Sequence, residues 1–384
     1  MPERIVGNPG AGSFHPATQP PALDADRATS TGTARYRDRF AARLGDGFYR
    51  PLVDGVLVSS VGIGTYLGEP TSAEDDAYAA AVREAVDSGI NLIDTAINYR
   101  CQRSERVIGR VLRATIDAGY LRRDELVVTS KGGFIPLDES PPLTREGYQG
   151  YLRREFYAKG VMRPEDVVAG GHSLAPTFLR HQLTSSLANL GLLTLDTYYV
   201  HCPEQQLGTV SYDELLQRMR SAFSTLEERV DAGQVASYGV ATWAGLRTPP
   251  GRRDHISLVD LVRLATEVAG EKHHFRVVQL PVSLAMPEAL RLPTQPMPDG
   301  RLLTVLEAAA ELGLRVVASA PLAQGKLAAG MPAQIAELFP GHETDAQRAL
   351  AFVRSLPLAA ALVGMRRREH VRENLELQGL GTSP

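Results

Sequence analysis

Cysteine is scarce. Cys101 and Cys202 are the only two among 384 residues, too few for a disulfide framework or a cysteine-rich zinc site. Long apolar runs are missing too: the longest, Pro357–Val363, spans about seven residues, against the roughly 20 that a membrane-spanning helix needs. No charge of one sign dominates, with Lys+Arg at 41, Asp+Glu at 44 and a net charge of −3. That balance lacks the basic field of a nucleic-acid binder. The first 30 residues are rich in Pro, Ser and Thr and hold no apolar signal core, so a cytoplasmic chain is expected. What is present is ordinary for a globular protein with a sizeable core: 43% hydrophobic and 22% charged residues.

The organisation follows from punctuation and period. Pro2, Pro9, Pro16, Pro20 and Pro21 interrupt any pattern, so residues 1–30 read as a tail. A short helix over Thr33–Leu44 follows, ended by Gly45-Asp46-Gly47. Phe48–Val53 and Val56–Ser59 flank Asp54-Gly55, a two-residue hairpin signal because both turn positions need positive φ. Beyond residue 60, β-branched runs alternate with helical patterns. The strands are expected over Val61–Thr65, Ile90–Asp94, Leu126–Ser130, Thr197–His201, Val235–Val240, Val277–Leu280, Arg315–Ser319 and Ala360–Val363. Helices are expected over Ala73–Asp87, Ser104–Ala118, Ala175–Leu190, Tyr212–Ala232, Leu258–Ala269, Gly300–Leu312 and Asp345–Ser355. Such alternation implies parallel strands with right-handed crossovers. Eight units suit an α/β chain closed as a (β/α)8 TIM barrel, with an open doubly wound sheet as the competing topology. Gly62-Ile63-Gly64 lacks the third glycine of a dinucleotide fingerprint. Two long connections, 132–174 and 320–342, leave strand C-terminal ends, the face where barrel enzymes keep their chemistry. Residues 1–47 are therefore read as a largely unstructured extension carrying a short helix, and 48–384 as the barrel.

Chemistry is sought at the strand exits. Asp94 follows Leu92-Ile93, Lys131 follows Val127–Ser130, His201 follows Tyr198-Tyr199-Val200, and Tyr99 lies five residues beyond Asp94. A buried lysine needs a carboxylate, and Asp94 on the adjacent strand supplies it. A phenol beside that ammonium is expected to have its pKa lowered. It could then protonate a developing alkoxide while an imidazole orients the oxygen. Taken singly, each residue also has a structural reading: a cap or ion pair for Asp94, a surface position for Lys131, a core hydrogen bond for His201, packing for Tyr99. Four of them at three strand exits favour chemistry. Cys101 and Cys202 are placed near the same mouth, where inert thiols are commoner than redox sensors.

These residues also carry a family resemblance. Asn91–Tyr99 continued by Ser104–Gly109, then Thr129-Ser130-Lys131-Gly132, then Leu187–Gly191 with Leu195–Pro203, resemble three successive motifs of the aldo/keto reductases. The match runs from about Val58 to Leu377. The resemblance implies a (β/α)8 barrel in which Tyr99 is the general acid, Lys131 and Asp94 tune it, and His201 orients the carbonyl. It also implies NADPH (NADP+) as cofactor, with NADH as the alternative, bound without a Rossmann motif. The activity implied is reduction of an aldehyde or ketone to an alcohol by hydride transfer. The alternative is an NADP(H)-binding regulatory or redox-sensing subunit with little turnover.

By the same resemblance, Gly364-Met365-Arg366-Arg367-Arg368 and the helix after it, with His370, Glu373 and Asn374, would hold the adenosine phosphate. Three consecutive arginines could bind a 2′-phosphate. Gln279 matches the residue that holds the nicotinamide carboxamide, and Ser319, Pro321, Leu322, Gln324 and Gly325 match the loop over the pyrophosphate. Gly64, Thr65, Asp94 and Thr242 complete the expected cofactor contacts. Tyr66, Phe134 and Trp243 are read as walls of the substrate pocket. Two departures stand out: Ala241-Thr242 replaces the usual Ser-Asn, and Ser319 replaces an aromatic ring. A small-molecule carbonyl substrate is expected, with no nucleic-acid, membrane or metal partner. The loops carry no readable code for substrate identity or oligomeric state.

Overall fold

Inward and outward faces alternate along each parallel strand, and that parity builds the molecule from its core to its mouth. The structure, a computed structural model, describes residues 26–138, 141–142 and 144–376. An antiparallel hairpin comes first, β1 (Tyr49–Pro51) and β2 (Leu57–Ser59). Six strands follow: β3 (Val61–Gly64), β4 (Leu92–Asp94), β5 (Val127–Gly132), β6 (Leu195–His201), β7 (Val235–Ala241) and β8 (Phe275–Pro281). A two-residue pair, β9 (Gln295–Pro296) and β10 (Leu302–Leu303), precedes β11 (Arg315–Ser319) and β12 (Ala360–Gly364). The barrel closes in the order β11-β12-β3-β4-β5-β6-β7-β8, every neighbour parallel. All eight expected strands are present, with ends shifted by one or two residues. The competing open sheet is thereby overturned.

Helices α1 (Ser30–Leu44), α2 (Ser72–Asp87), α3 (Arg103–Asp117), α4 (Arg145–Leu152), α5 (Pro176–Leu190) and α6 (Tyr212–Asp231) lie in the first two-thirds of the chain. After them come α7 (Leu258–Ala269), α8 (Glu288–Arg291), α9 (Val305–Glu311), α10 (Ala333–Ala336), α11 (Asp345–Ser355) and α12 (Arg368–Leu375). Thr29, Thr71, Thr144, Ser211, Ser257, Thr304 and Thr344 cap seven of them by accepting an N–H in the first turn. The helix expected from Gly300 starts at Val305 instead. Residues 302–303 pair with 295–296, and Thr304 with Glu307 forms a capping box that fixes the start.

Two apolar layers result. Leu92, Val127, Tyr199, Val277, Val317 and Leu362 form one cluster with Leu52 and Val58 of the hairpin region, so the barrel interior is packed and floored. The larger cluster joins the outward strand residues, such as Ile63, Ile93 and Val128, to the helices. A Cβ on Gly239 would lie 1.9 Å from the Val277 carbonyl oxygen; that close approach requires glycine. The hairpin turn is as expected, with φ of 50° at Asp54 and 77° at Gly55.

The helix expected over Thr33–Leu44 is present as α1, Ser30–Leu44. Residues 1–25 lie outside the described residues, but 26–47 are built into the closed pole rather than trailing from it. The Ala28 amide donates to Asp196 at 2.6 Å, and Tyr36, fully buried, donates to the Val86 and Ile90 carbonyls. Arg35 and Arg39 reach Glu125, each at 2.8 Å. The 132–174 connection is likewise no plain loop. It contains α4 and a π-helical turn, Arg153–Tyr157, which pack Leu152 and Phe156 against Phe178 of α5.

Candidate active site

The parity that buries Leu92, Val127, Tyr199 and Val277 lifts polar residues to the rim two or four positions later: Asp94, Lys131, His201 and Gln279. Strand pairing brings them together, with Asp94 opposite Thr129, Lys131 opposite Tyr199, and Ala241 opposite both His201 and Gln279. Lys131 Nζ donates to Asp94 Oδ2 at 2.5 Å and to the Thr95 carbonyl at 2.8 Å. Asp94 Oδ1 accepts from Thr129 Oγ1 at 2.8 Å and from Gln279 Nε2 at 2.9 Å. Lys131 is fully buried. Burial pulls its pKa down and the Asp94 carboxylate opposes that pull.

The ammonium lies 4.9 Å from the centroid of the Tyr99 ring, and that ring meets His201 edge-on at 5.9 Å and Tyr66 at 5.0 Å. Here the expected phenol pKa is reversed. Burial pushes Tyr99 well above its usual value, and the Asp94 carboxylate adds to the rise. Asp94 partly compensates the ammonium charge, and what remains of it does not outweigh the desolvation of a phenolate. Burial and the neighbouring Lys131 hold His201 well below the usual imidazole pKa. His201 is therefore neutral at neutral pH, and its Nδ1 is buried without a partner.

These groups border a cavity of about 540 Å³. Of the sequence-derived candidates, Tyr99, Asp94 and His201 line it, as do Tyr66, Phe134 and Trp243. So do Gly64, Thr65, Thr242, Gln279, Ser319, Pro321, Leu322, Gln324, Gly325 and Gly364. Lys131 sits beneath it. Backbone strain gathers at three strand exits: apart from Asp54 and Ala169, the described non-glycine residues with φ between 46° and 68° are Arg100, Cys101 and Gln102 after β4, Cys202 after β6, and Ala320, Ala323 and Gln324 after β11. Such conformations cost about 1–3 kcal/mol each and persist where surroundings hold them.

A family model, Aldo/keto reductase family, matches residues 60–378. The chain belongs to the aldo/keto reductase family. Among its curated relatives, 2,5-diketo-D-gluconic acid reductase B of Corynebacterium is 40% identical over 192 residues, 50% of this chain and 48% of that one. D-threo-aldose 1-dehydrogenase of Pseudomonas is 29% identical over 191 residues, 49% and 51% of the two chains. The chain spans about half the length of the curated relatives it matches. Among solved structures, an aldo/keto reductase from Klebsiella pneumoniae in complex with NADP and acetate has a TM-score of 0.57 at 21% identity. That likeness covers 86% of this chain and 89% of the other. The aldose reductase of Schistosoma japonicum gives 0.53 at 20% identity over 86% of each chain. These likenesses establish the barrel fold.

The aldo/keto reductase segment after β12 is placed differently from the rim residues, and apart from Gly364 it does not line the cavity. Met365 is fully buried in the core and does not face the cavity. The three arginines are not equivalent. Arg366 pairs with Glu74 at 2.8 Å and Arg368 with Glu84 at 2.8 Å, whereas Arg367 donates to His370 Nε2 and has no carboxylate partner among the described residues. Asn374 is buried with its Oδ1 unpartnered, and the Glu373 carbonyl accepts from Gln347 at 3.0 Å. Gln279 donates from Nε2 to Asp94 at 2.9 Å while also lining the cavity.

Sequence reasoning missed several residues. Asn98 and Gln205 also line the cavity, and the Asn98 Oδ1 is buried without a partner. Glu204 is buried, and its Oε1 accepts the Trp243 and Ala244 amides at 2.6 and 3.0 Å, pinning the turn that carries Thr242 and Trp243. Burial raises its carboxyl pKa. A polar Glu-Gln-Gln run directly after a strand exit was the available signal. Cys101 and Cys202 are free, and burial pushes both thiols up, away from reactive thiolate character. Among the described residues no His, Cys, Asp and Glu group could hold a metal ion, and no helix is long and apolar enough to cross a membrane.

Proposed function

We propose that this chain reduces an aldehyde or ketone to an alcohol with NADPH, in the cytoplasm. The observation that carries the reading is the convergence of Tyr99, the Lys131–Asp94 pair and His201 on one cavity. The residues fit a dinucleotide. Among the described residues, Thr242 Oγ1, Asn98 Oδ1 and Asn374 Oδ1 are buried polar atoms without partners, which a bound ligand would satisfy. Thr242 and Gln279 would face the carboxamide, the Ser319–Gly325 loop the pyrophosphate, and Arg367 with His370 and Asn374 the adenosine phosphate. Related proteins were solved with NADP and with NADPH.

When bound, the dinucleotide supplies the hydride; the protein supplies the proton and the field. Burial keeps Tyr99 protonated at neutral pH, so its O–H is available as charge builds on the substrate oxygen. The Lys131 ammonium, 4.9 Å from the ring centroid, stabilises the phenolate left behind. Asp94 keeps that ammonium charged and fixed. Neutral His201 offers an N–H to the carbonyl oxygen. Tyr66, Phe134 and Trp243 give the cavity aromatic walls. The test is NADPH oxidation followed spectrophotometrically over a panel of aldehydes and ketones. Carbonyl-dependent oxidation, faster with NADPH than with NADH, is the expected result; NADPH binding with no turnover on any carbonyl would overturn the proposal.

A further inference from the structure

The geometry points to His172, a residue of the 132–174 insertion, as a positioning residue that locks the catalytic end of β6 by a hydrogen bond to the main-chain carbonyl of His201. The inference rests on the carbonyl-reductase reading of His201. His172 is fully buried. Its Nε2 lies 2.7 Å from the His201 carbonyl oxygen, its Nδ1 lies 2.7 Å from Gln206 Nε2, and Arg218 donates to Gln206 Oε1 at 2.7 Å.

This chain of contacts has one consistent proton arrangement. Arg218 can only donate, so the Gln206 oxygen faces it and the Gln206 NH2 faces His172. His172 Nδ1 must then accept, which puts the imidazole proton on Nε2, aimed at His201. The carbonyl needs this partner because the chain leaves the β6 ladder there: Cys202 turns into the left-handed region, with φ of 46°, while its amide still bonds Ala241 at 2.6 Å. The peptide that follows the His201 side chain is thus held from both sides.

The same imidazole also fixes the substrate wall. Phe134 meets His172 edge-on at 5.0 Å and His201 at 4.9 Å. Residue 133 leaves no slack, since a Cβ on Gly133 would come within 2.8 Å of both His172 Nε2 and the His201 carbonyl oxygen. The insertion is tied down on each side, with Ile135 donating to the Gly171 carbonyl and Ser173 to the Gly133 carbonyl. It therefore reaches into the molecule and sets the angle of one catalytic side chain.

The test compares His172→Leu, His172→Gln and Gln206→Leu in the full chain. His172→Leu is expected to lower kcat on the order of 10- to 100-fold, the scale of a misplacement of about 1 Å, with the NADPH Kd changed less than about twofold. His172→Gln restores an N–H donor to His201 and recovers most of kcat. Histidine NMR on the wild type should show the Nε2–H tautomer of His172, and Gln206→Leu should release it. A leucine variant with kcat within twofold of wild type overturns the proposal, as does a glutamine variant no better than leucine, or an Nδ1–H tautomer. If the leucine variant does not fold, the glutamine variant and the tautomer decide. A wild type without turnover would sink the carbonyl-reductase reading instead; the tautomer, and a His201 resonance unchanged in His172→Gln, would still judge the positioning contact.

Discussion

Asp94 and Lys131 share a 2.5 Å ion pair but do not depend on it equally. Asp94 keeps Thr129 and Gln279 as further donors, while Lys131, fully buried, has among the described residues only the Thr95 carbonyl besides. Removing Asp94 strands a buried ammonium, so Asp94→Ala is expected to cost about 3–5 kcal/mol of stability. Lys131→Met leaves a carboxylate that keeps two donors, Thr129 and Gln279, so it should cost less. Denaturant unfolding of the two variants checks the order; a larger loss for Lys131→Met would contradict it.

Acid should weaken the fold through His172. Burial pushes its pKa down from 6.5 to about 4. Between those values the unfolded chain takes up a proton that the folded chain refuses. Stability is thus full above pH 6.5, falls as pH drops toward 4, and levels below that, a change on the order of 3 kcal/mol. Thermal midpoints measured from pH 7 to 4 should decline, and His172→Gln should flatten the decline.

Arg367 is expected to separate the two dinucleotides. Among the described residues its guanidinium meets no carboxylate, whereas Arg366 is paired with Glu74. Arg367→Ala should raise the NADPH Kd by about tenfold, the scale of one charge-assisted hydrogen bond, and leave NADH binding nearly unchanged. Arg366→Ala should do less. Titration calorimetry with both dinucleotides decides.

Trp243, the only tryptophan, is 45% exposed on the cavity wall. Its emission should fall on saturation with NADPH. Unchanged emission at saturation would remove Trp243 from the vicinity of the cofactor.

The strands and rim were legible for a simple reason. An apolar run ending in Asp94, Lys131 or His201 has the period of a half-turned barrel strand, and a buried lysine demands its carboxylate. The high pKa of Tyr99 was not legible, because adjacency to a lysine suggests a lowered phenol and only the fold shows how deeply the ring is buried and how close Asp94 lies. The Arg366–Arg368 run looks uniform in sequence; Glu74 and Glu84, some 290 residues away, make its members differ. His172 lies in a stretch without period, so nothing local marks it as reaching His201. The start at Val305 was set by a pairing between two-residue strands too short to read.

The central claim concerns the phenol of Tyr99, and its removal alone tests it most directly. In Tyr99→Phe the ring and its packing stay while the transferable proton is lost. The account predicts loss of carbonyl-dependent NADPH oxidation, on the order of 100-fold or more, with the NADPH Kd within about twofold of wild type. A Tyr99→Phe protein that turns over at the wild-type rate would contradict it.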